Sequence, residues 1–354
     1  MTLSRFFSEK YAALTPYTPG EQPRERTYIK LNTNESPFET SPLAVEMAAK
    51  EAARARLYSD PTCHDLVRTA AAYFGVDPDE VLFTNGSDEI LNFAFMAFGD
   101  ASHPAVFPDI TYGFYPVFAA LGGVPYEEKP LNDDFTVNVD DYLHTHKTIF
   151  IANPNAPTGI ALTKSEIERI VAENADSVVV VDEAYVDFGA ESVVPLIHTY
   201  DNLLVTQTFS KSRSLAGARL GMGFGCKALI ADLNTVKYST NPYNVNRMTM
   251  AAGVGALLDD EYMKKNCAEI IRVRGILTNE LRRLGFSVLD SKANFVFAKS
   301  DTIGGEALYK LLKENGILVR HFTSPRLCEY NRITVGTEEQ TRVLVRTLET
   351  LLGK

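Results

Sequence analysis

Val178-Val179-Val180-Val181-Asp182-Glu183-Ala184-Tyr185 is the stretch on which the reading of this chain turns. Its consecutive valines show no polar alternation, the pattern of a strand covered on both faces. A carboxylate at the carboxyl end of such a strand needs a cation or strong donors to offset its desolvation. Capping of a neighbouring loop is the plain structural alternative for Asp182.

On either side of it, short apolar runs recur at Val81–Thr84, Ala105–Phe107, Val124–Glu127, Thr148–Ala152 and Leu203–Thr208, with helical stretches between them. Ser41-Pro42 reads as N-cap and first position of a helix over Leu43–Arg56. Gly75 closes Leu66–Phe74, and Thr163 with Glu166 forms a capping box opening a helix into Glu173. Strand–helix alternation of this kind predicts an α/β sheet with helices on both faces. Gly221-Met222-Gly223-Phe224-Gly225 lacks the GxGxxG spacing of a dinucleotide fold and reads as a strand that allows close backbone approach. Beyond Asn241–Asn246 come long helical patterns (Val245–Leu258, Glu261–Leu284), then short strands and a closing helix, Glu338–Leu352. The expected division is a proline-rich arm, 1–40, a large domain, 41–245, and a smaller α+β domain, 246–354.

The 35 Lys+Arg against 45 Asp+Glu give a net charge of −10 and a pI near 5.2. Such a chain repels polyanions, so neither nucleic acid nor an anionic membrane surface is an expected partner. No run of about 18 apolar residues is present, and Met1–Leu14 carries Arg5, Glu9 and Lys10 in place of an apolar leader. A cytoplasmic location is the expectation. Cys63, Cys226, Cys267 and Cys328 form no CxxC pair and no zinc-type spacing, so they read as scattered buried thiols and no metal is expected.

Open α/β sheets bind ligands at the carboxyl ends of their strands. After Thr84 comes Asn85-Gly86-Ser87-Asp88-Glu89. Gly86 permits a tight turn and Ser87 is a natural N-cap. The first-turn N–H groups favour a phosphate, with the side chains of Asp88 and Glu89 turned outward. Alone this is an ordinary helix start. After Ala152, Asn153-Pro154-Asn155-Ala156-Pro157-Thr158-Gly159 makes a rigid loop that can hold an amide still. After Thr208 come Ser210-Lys211-Ser212 and, further on, Arg219; a lone lysine there would be an ordinary surface lysine. Taken together, amine, acid, amide, helix start and arginine point to pyridoxal phosphate. A lysine amine condenses with its aldehyde, and an aspartate keeps its ring nitrogen protonated so that the ring acts as an electron sink.

On these residues the chain resembles the fold type I pyridoxal-phosphate-dependent aminotransferases, over nearly its whole length. Further stretches carry the resemblance: Pro16-Tyr17-Thr18-Pro19-Gly20, Leu31-Asn32-Thr33-Asn34-Glu35-Ser36-Pro37, Leu57-Tyr58-Ser59-Asp60, Gly316–Arg320 and Arg332–Thr337. Within the family it is similar to the branch that exchanges an amino group between glutamate/2-oxoglutarate and imidazole acetol phosphate/histidinol phosphate in histidine biosynthesis. The resemblance implies an aspartate-aminotransferase-like fold: a mostly parallel seven-stranded sheet in the large domain, and a small domain joined by a long helix. It implies Lys211 as the lysine bonded to the cofactor, Asp182 as partner of the ring nitrogen and Tyr112 as the ring-stacking aromatic. Ser87 and Asp88 (through backbone N–H), Ser210 and Arg219 would hold the phosphate. Tyr185 and the loop asparagine would hold the ring 3′-oxygen. Arg332 would take the substrate anion, with Arg320, Tyr17 and Asn34 in the same pocket. Tyr58 would reach the cofactor phosphate of the other subunit, which implies a homodimer with shared sites.

Two departures from the family pattern stand out. Ala156 replaces the asparagine usual before Pro-Thr-Gly, so either Asn155 takes over the 3′-oxygen contact or Tyr185 makes it alone. The usual Arg-Tyr-Pro-Asp reads Leu57-Tyr58-Ser59-Asp60. The same loops also serve an aromatic-amino-acid aminotransferase or a threonine-phosphate decarboxylase. A non-catalytic ligand-binding protein on this scaffold is the alternative of a different class, against which the presence of both Lys211 and Asp182 counts.

Overall fold

The computed structural model describes residues 4–23 and 25–354; Met1–Leu3 and Arg24 lie outside the described residues. The strands are β1 (Ile29–Lys30), β2 (Val81–Thr84), β3 (Ala105–Pro108), β4 (Tyr126–Lys129), β5 (Thr148–Ala152), β6 (Val179–Asp182), β7 (Leu203–Thr208), β8 (Gly221–Gly225), β9 (Phe286–Val288), β10 (Phe295–Ser300), β11 (Ile317–Leu318), β12 (Arg320–His321) and β13 (Asn331–Thr334). Seven of them form one sheet in the order β2-β8-β7-β6-β5-β3-β4. All pairs from β4 to β7 are parallel, and β8 runs antiparallel to both its neighbours. The mostly parallel seven-stranded sheet implied by the family resemblance is present, and the valine run lies near its centre.

Alternation along β5, β6 and β7 shows why both faces are apolar. Ile149, Ile151, Val179, Val181, Leu203 and Val205 enter one core cluster. Phe150, Val180 and Leu204 enter the cluster on the opposite face. The helices covering these faces carry the end signals expected from the sequence, except at the C-terminus of α1. Ser41 caps α1 (Pro42–Ala52), which stops before the Arg56 expected from its pattern. Gly75, at φ +70°, closes α2 (His64–Phe74). Both halves of the Thr163/Glu166 capping box open α5 (Lys164–Ala172).

One helix start differs from expectation. Ser87 is the first residue of α3 (Ser87–Phe98), not its cap; the cap is Gly86, at φ +86°. That backbone conformation is strained for any residue with a Cβ, so the turn selects glycine. The start of α3 also presses on β8. A Cβ on Gly221 would lie 2.2 Å from the Ser87 nitrogen and 2.4 Å from the Gly86 carbonyl carbon. Gly221→Ala is therefore expected to destabilise the protein by roughly 1–3 kcal/mol, as overpacking does. Thermal unfolding measures this, and an unchanged Tm would show that the α3 start moves freely.

The remaining strands sit in the C-terminal half. β12-β13-β10-β9 form an antiparallel sheet, packed by α8 (Asp260–Arg283, 24 residues), α9 (Gly305–Glu314) and α10 (Glu338–Leu352) around a core of their own. β1 pairs in parallel with β11, Ile29 opposite Ile317, and Leu31 enters that same core. The N-terminal arm is thus stitched to the C-terminal block, which brings Asn32–Glu35 to the edge of the large sheet. Among the described residues no helix is long and apolar enough to cross a membrane, and no His/Cys/Asp/Glu group could hold a metal. All four cysteines are free, with Cys63 and Cys267 buried; Cys226 and Cys328 are only half-buried, less than the sequence suggests.

Candidate active site

Two adjoining cavities open at the carboxyl ends of β5, β6 and β7. They share Thr33, Tyr112, Ala156, Tyr185 and Lys211 as common walls. The first also holds Ser87, Asp88, Asp182, Ser210 and Arg219. Asp182 is buried at the end of β6. It accepts from Thr206 Oγ1 at 3.1 Å, its register partner on β7, and more weakly from Tyr115 Oη at 3.5 Å. Among the described residues no cation pairs with it. Burial therefore pushes its carboxyl up to about 7, with the nearby Asp88 charge adding to the effect. A buried carboxylate with hydroxyl donors but no cation is poised to receive one.

Lys211 faces the same space and donates to the Thr33 carbonyl at 3.2 Å. Burial, helped by the positive charge of Arg332, lowers its amine to about 8. At one end of the cavity Arg219, itself at φ +55°, donates to Asp88 Oδ2 at 2.9 Å and to Ser210 Oγ at 3.3 Å. Its guanidinium crosses the space that a Cβ on Gly86 would occupy. Tyr112 Oη donates to Asp88 Oδ1 at 2.6 Å. Here the structure corrects the sequence reading: the Asp88 side chain turns inward, because Arg219 and Tyr112 supply the donors that make this favourable.

The second cavity is bounded by Tyr17, Asn34, Phe322, Arg320 and Arg332. Arg332, on β13, stands over the rings of Phe295 (5.2 Å) and Phe322 (5.8 Å) and donates to the Asn32 carbonyl at 3.2 Å. Its Nε is buried without a partner, and among the described residues it forms no ion pair. Arg320, its cross-strand neighbour, donates to the carbonyls of Thr18 and Pro19. Two guanidiniums on facing positions repel each other unless an anion lies between or beside them. Tyr17 stacks on Phe114 at 4.2 Å. Asn34, at φ +57°, donates to Tyr185 Oη at 3.0 Å and accepts from Thr334.

A family model described as aminotransferase class I and II matches residues 26–348. The chain belongs to that family. It is 46% identical over 353 residues to a histidinol-phosphate aminotransferase of Brachyspira hyodysenteriae, covering 99% of each chain. It superposes with a TM-score of 0.90, at 22% identity and 99% coverage of both chains, on a histidinol-phosphate aminotransferase of Sinorhizobium meliloti in complex with pyridoxal-5'-phosphate. It also superposes with a TM-score of 0.81, at 22% identity, on an L-threonine-O-3-phosphate decarboxylase of Porphyromonas gingivalis, covering 92% of this chain and 100% of that one. At such identities the superpositions speak for the fold alone.

One expected site residue of this aminotransferase lies elsewhere, and another, expected to reach a partner subunit's site, does not line the cavities of its own chain. Asn155 does not reach the first cavity. Its Nδ2 donates to the Ile110 carbonyl and Thr158 Oγ1, and its Oδ1 accepts from Thr111, so the amide ties loops together while Ala156 forms the wall. Tyr58 is 81% exposed, stacks on Tyr243 at 4.7 Å and lines neither cavity. Conversely, Thr206, Tyr115 and Thr33 hold the central groups and were not legible as site residues. Thr206 could have been found from strand register, which places it opposite Asp182; Tyr115 and Thr33 arrive from distant segments.

Proposed function

We propose that this aminotransferase moves the amino group of glutamate onto imidazole acetol phosphate, giving 2-oxoglutarate and histidinol phosphate, as a cytoplasmic homodimer using pyridoxal phosphate. The observation that carries this reading is Arg332. Its guanidinium lines the same cavity as Lys211, forms no ion pair among the described residues and has its Nε buried without a partner, and the planar fork accepts a carboxylate and a phosphate alike. The full-length likeness to histidinol-phosphate aminotransferases selects this pair of substrates over other amino acids.

The first cavity fits the cofactor. Asp182 lacks a cation and would hold the protonated ring nitrogen; Arg219, Ser210 and the first-turn N–H groups of Ser87 and Asp88 would hold the phosphate. The Asp88 carboxylate orients Arg219 and Tyr112, and the Tyr112 ring would cover one face. Tyr185 would contact the 3′-oxygen without Asn155. Because Asn34 donates into the Tyr185 oxygen, the tyrosine's own hydrogen is free to be aimed there. Tyr58, which lines neither cavity of its own chain, is assigned to the partner's phosphate site.

When bound, pyridoxal phosphate supplies an electron-accepting ring conjugated to the substrate nitrogen. Lys211 would hold the cofactor at rest and, once released by the incoming amine, would take the proton from the substrate α-carbon. Arg332 fixes the substrate's anionic end so that this proton lies toward Lys211, with Arg320, Tyr17 and Asn34 closing the pocket around it.

Arg332→Lys is expected to raise KM for both substrates by about tenfold or more, since charge-assisted fork contacts are worth about 1.5–3 kcal/mol. Unchanged kinetics for both would remove Arg332 from the site. The reaction itself is tested by following 2-oxoglutarate formation and CO₂ release side by side. Turnover with glutamate and imidazole acetol phosphate is the expected result. CO₂ from threonine phosphate, or turnover of aromatic amino acids alone, would overturn the substrate assignment. A colourless protein that takes up no added pyridoxal phosphate would overturn the cofactor.

A further inference from the structure

One wall of the substrate cavity is held by a residue that does not line it. Phe322, Ser324 and Leu327 form that wall, in the segment linking β12 to β13. Arg326, in the same segment, reaches across to the segment that follows β3 and β4. It donates to the carbonyls of Leu131 at 3.1 Å and Asn132 at 2.8 Å, and its Nη1 lies 3.3 Å from Asp109 Oδ2. The guanidinium also covers the Phe135 ring at 5.3 Å. Asp109 is itself fixed by accepting from the Leu131 N–H at 2.9 Å. Beside this contact Leu327 is buried with Ile110, Phe135 and Phe297, a small apolar cluster that joins the two halves of the chain.

The ion pair alone would be weak, since Arg326 and Asp109 are both half-exposed. What gives the contact a fixed geometry is the planar fork. Two backbone carbonyls, a carboxylate and a ring face constrain one guanidinium from several directions, and a lysine could not meet them all. The chain from Asp109 runs directly into Thr111 and Tyr112, which line the cavity. Arg326 therefore ties the 322–328 wall to the opposite wall.

We propose that Arg326 is a positioning residue that sets the width of the substrate cavity and thereby the preference for the ring-bearing, phosphorylated substrate over smaller ones. The inference rests on the function proposed above. The imidazole-bearing substrate fills more of the cavity than glutamate does, so loosening this wall should weaken the former selectively.

Arg326→Gln in the cofactor-loaded protein is expected to raise KM for histidinol phosphate by about tenfold, while KM for glutamate and kcat stay within about twofold. Amide hydrogen exchange should accelerate over residues 322–330 and 131–132 and nowhere near Lys211. If the glutamine variant does not fold, Arg326→Lys, which keeps the charge but not the fork, should show the same selective rise in smaller measure. Equal rises in both KM values, a fall in kcat with KM unchanged, or unaltered exchange in the two segments would overturn the proposal. A wild-type chain that transaminates neither substrate would overturn the function instead, and the exchange result would then decide the latch on its own.

Discussion

Replacing Lys211 by alanine is expected to lower kcat by roughly 10²–10⁴-fold, the range over which a positioned proton-transfer group contributes. The fold should survive, because the Lys211 amine makes one hydrogen bond, to the Thr33 carbonyl, and joins no ion pair among the described residues. The wild-type pH profile provides a second test. Burial and the Arg332 charge lower the amine to about 8, so its neutral fraction changes about tenfold per pH unit below that value and levels off above it. Covalent uptake of added pyridoxal phosphate by the cofactor-free protein should follow the same curve, and borohydride should fix the label on the Lys211 peptide. Uptake that keeps rising toward pH 10.5 would mean the amine is not desolvated as the structure shows. Wild-type turnover in Lys211→Ala would remove it from the chemistry.

The parts of this site legible in the sequence are those set by local rules. The valine run had to be a doubly covered strand, which put Asp182 at a buried strand end; the loop after β7 then placed Lys211 at the same sheet edge. Capping chemistry gave α1 and α5 their starts. What escaped depended on partners distant in the chain. That Gly86, not Ser87, caps α3 follows from its positive φ and from the Arg219 guanidinium occupying the place of a Cβ. Whether Asp88 points in or out was decided by Arg219 and Tyr112, neither of which its own segment announces. Asn155 looked available because the three partners of its side-chain amide, Thr111, Ile110 and Thr158, come from loop geometry. The β1–β11 pair is two residues long on each side, too short for any periodicity to show, yet it delivers Thr33 and Asn34 to the site.

Asp182→Asn should move stability and function in opposite directions. The amide has nearly the shape of the carboxylate and can still accept from Thr206, but it offers no charge to a cationic ring nitrogen. Turnover is expected to fall by roughly 10²–10³-fold, as when one preorganised electrostatic partner is removed, and cofactor affinity by about tenfold or more. Stability of the cofactor-free protein should respond otherwise. Burial raises the Asp182 carboxyl from 3.8 in the unfolded chain to about 7 in the folded one. The folded state therefore prefers the protonated form, and the stability this group contributes is full below 3.8 and lost as pH rises through 7. At pH 8 the wild-type cofactor-free protein holds an ionised, unpaired carboxylate in its interior, and the asparagine variant does not. The variant's Tm should thus equal or exceed that of wild type at pH 8, and its relative advantage should shrink as pH falls toward 4. Adding pyridoxal phosphate should reverse the order, because a cation then offsets the buried charge in wild type alone. A variant less stable than wild type without cofactor at pH 8 would show that Asp182 serves the fold; one of unchanged turnover would show that it does not serve the reaction.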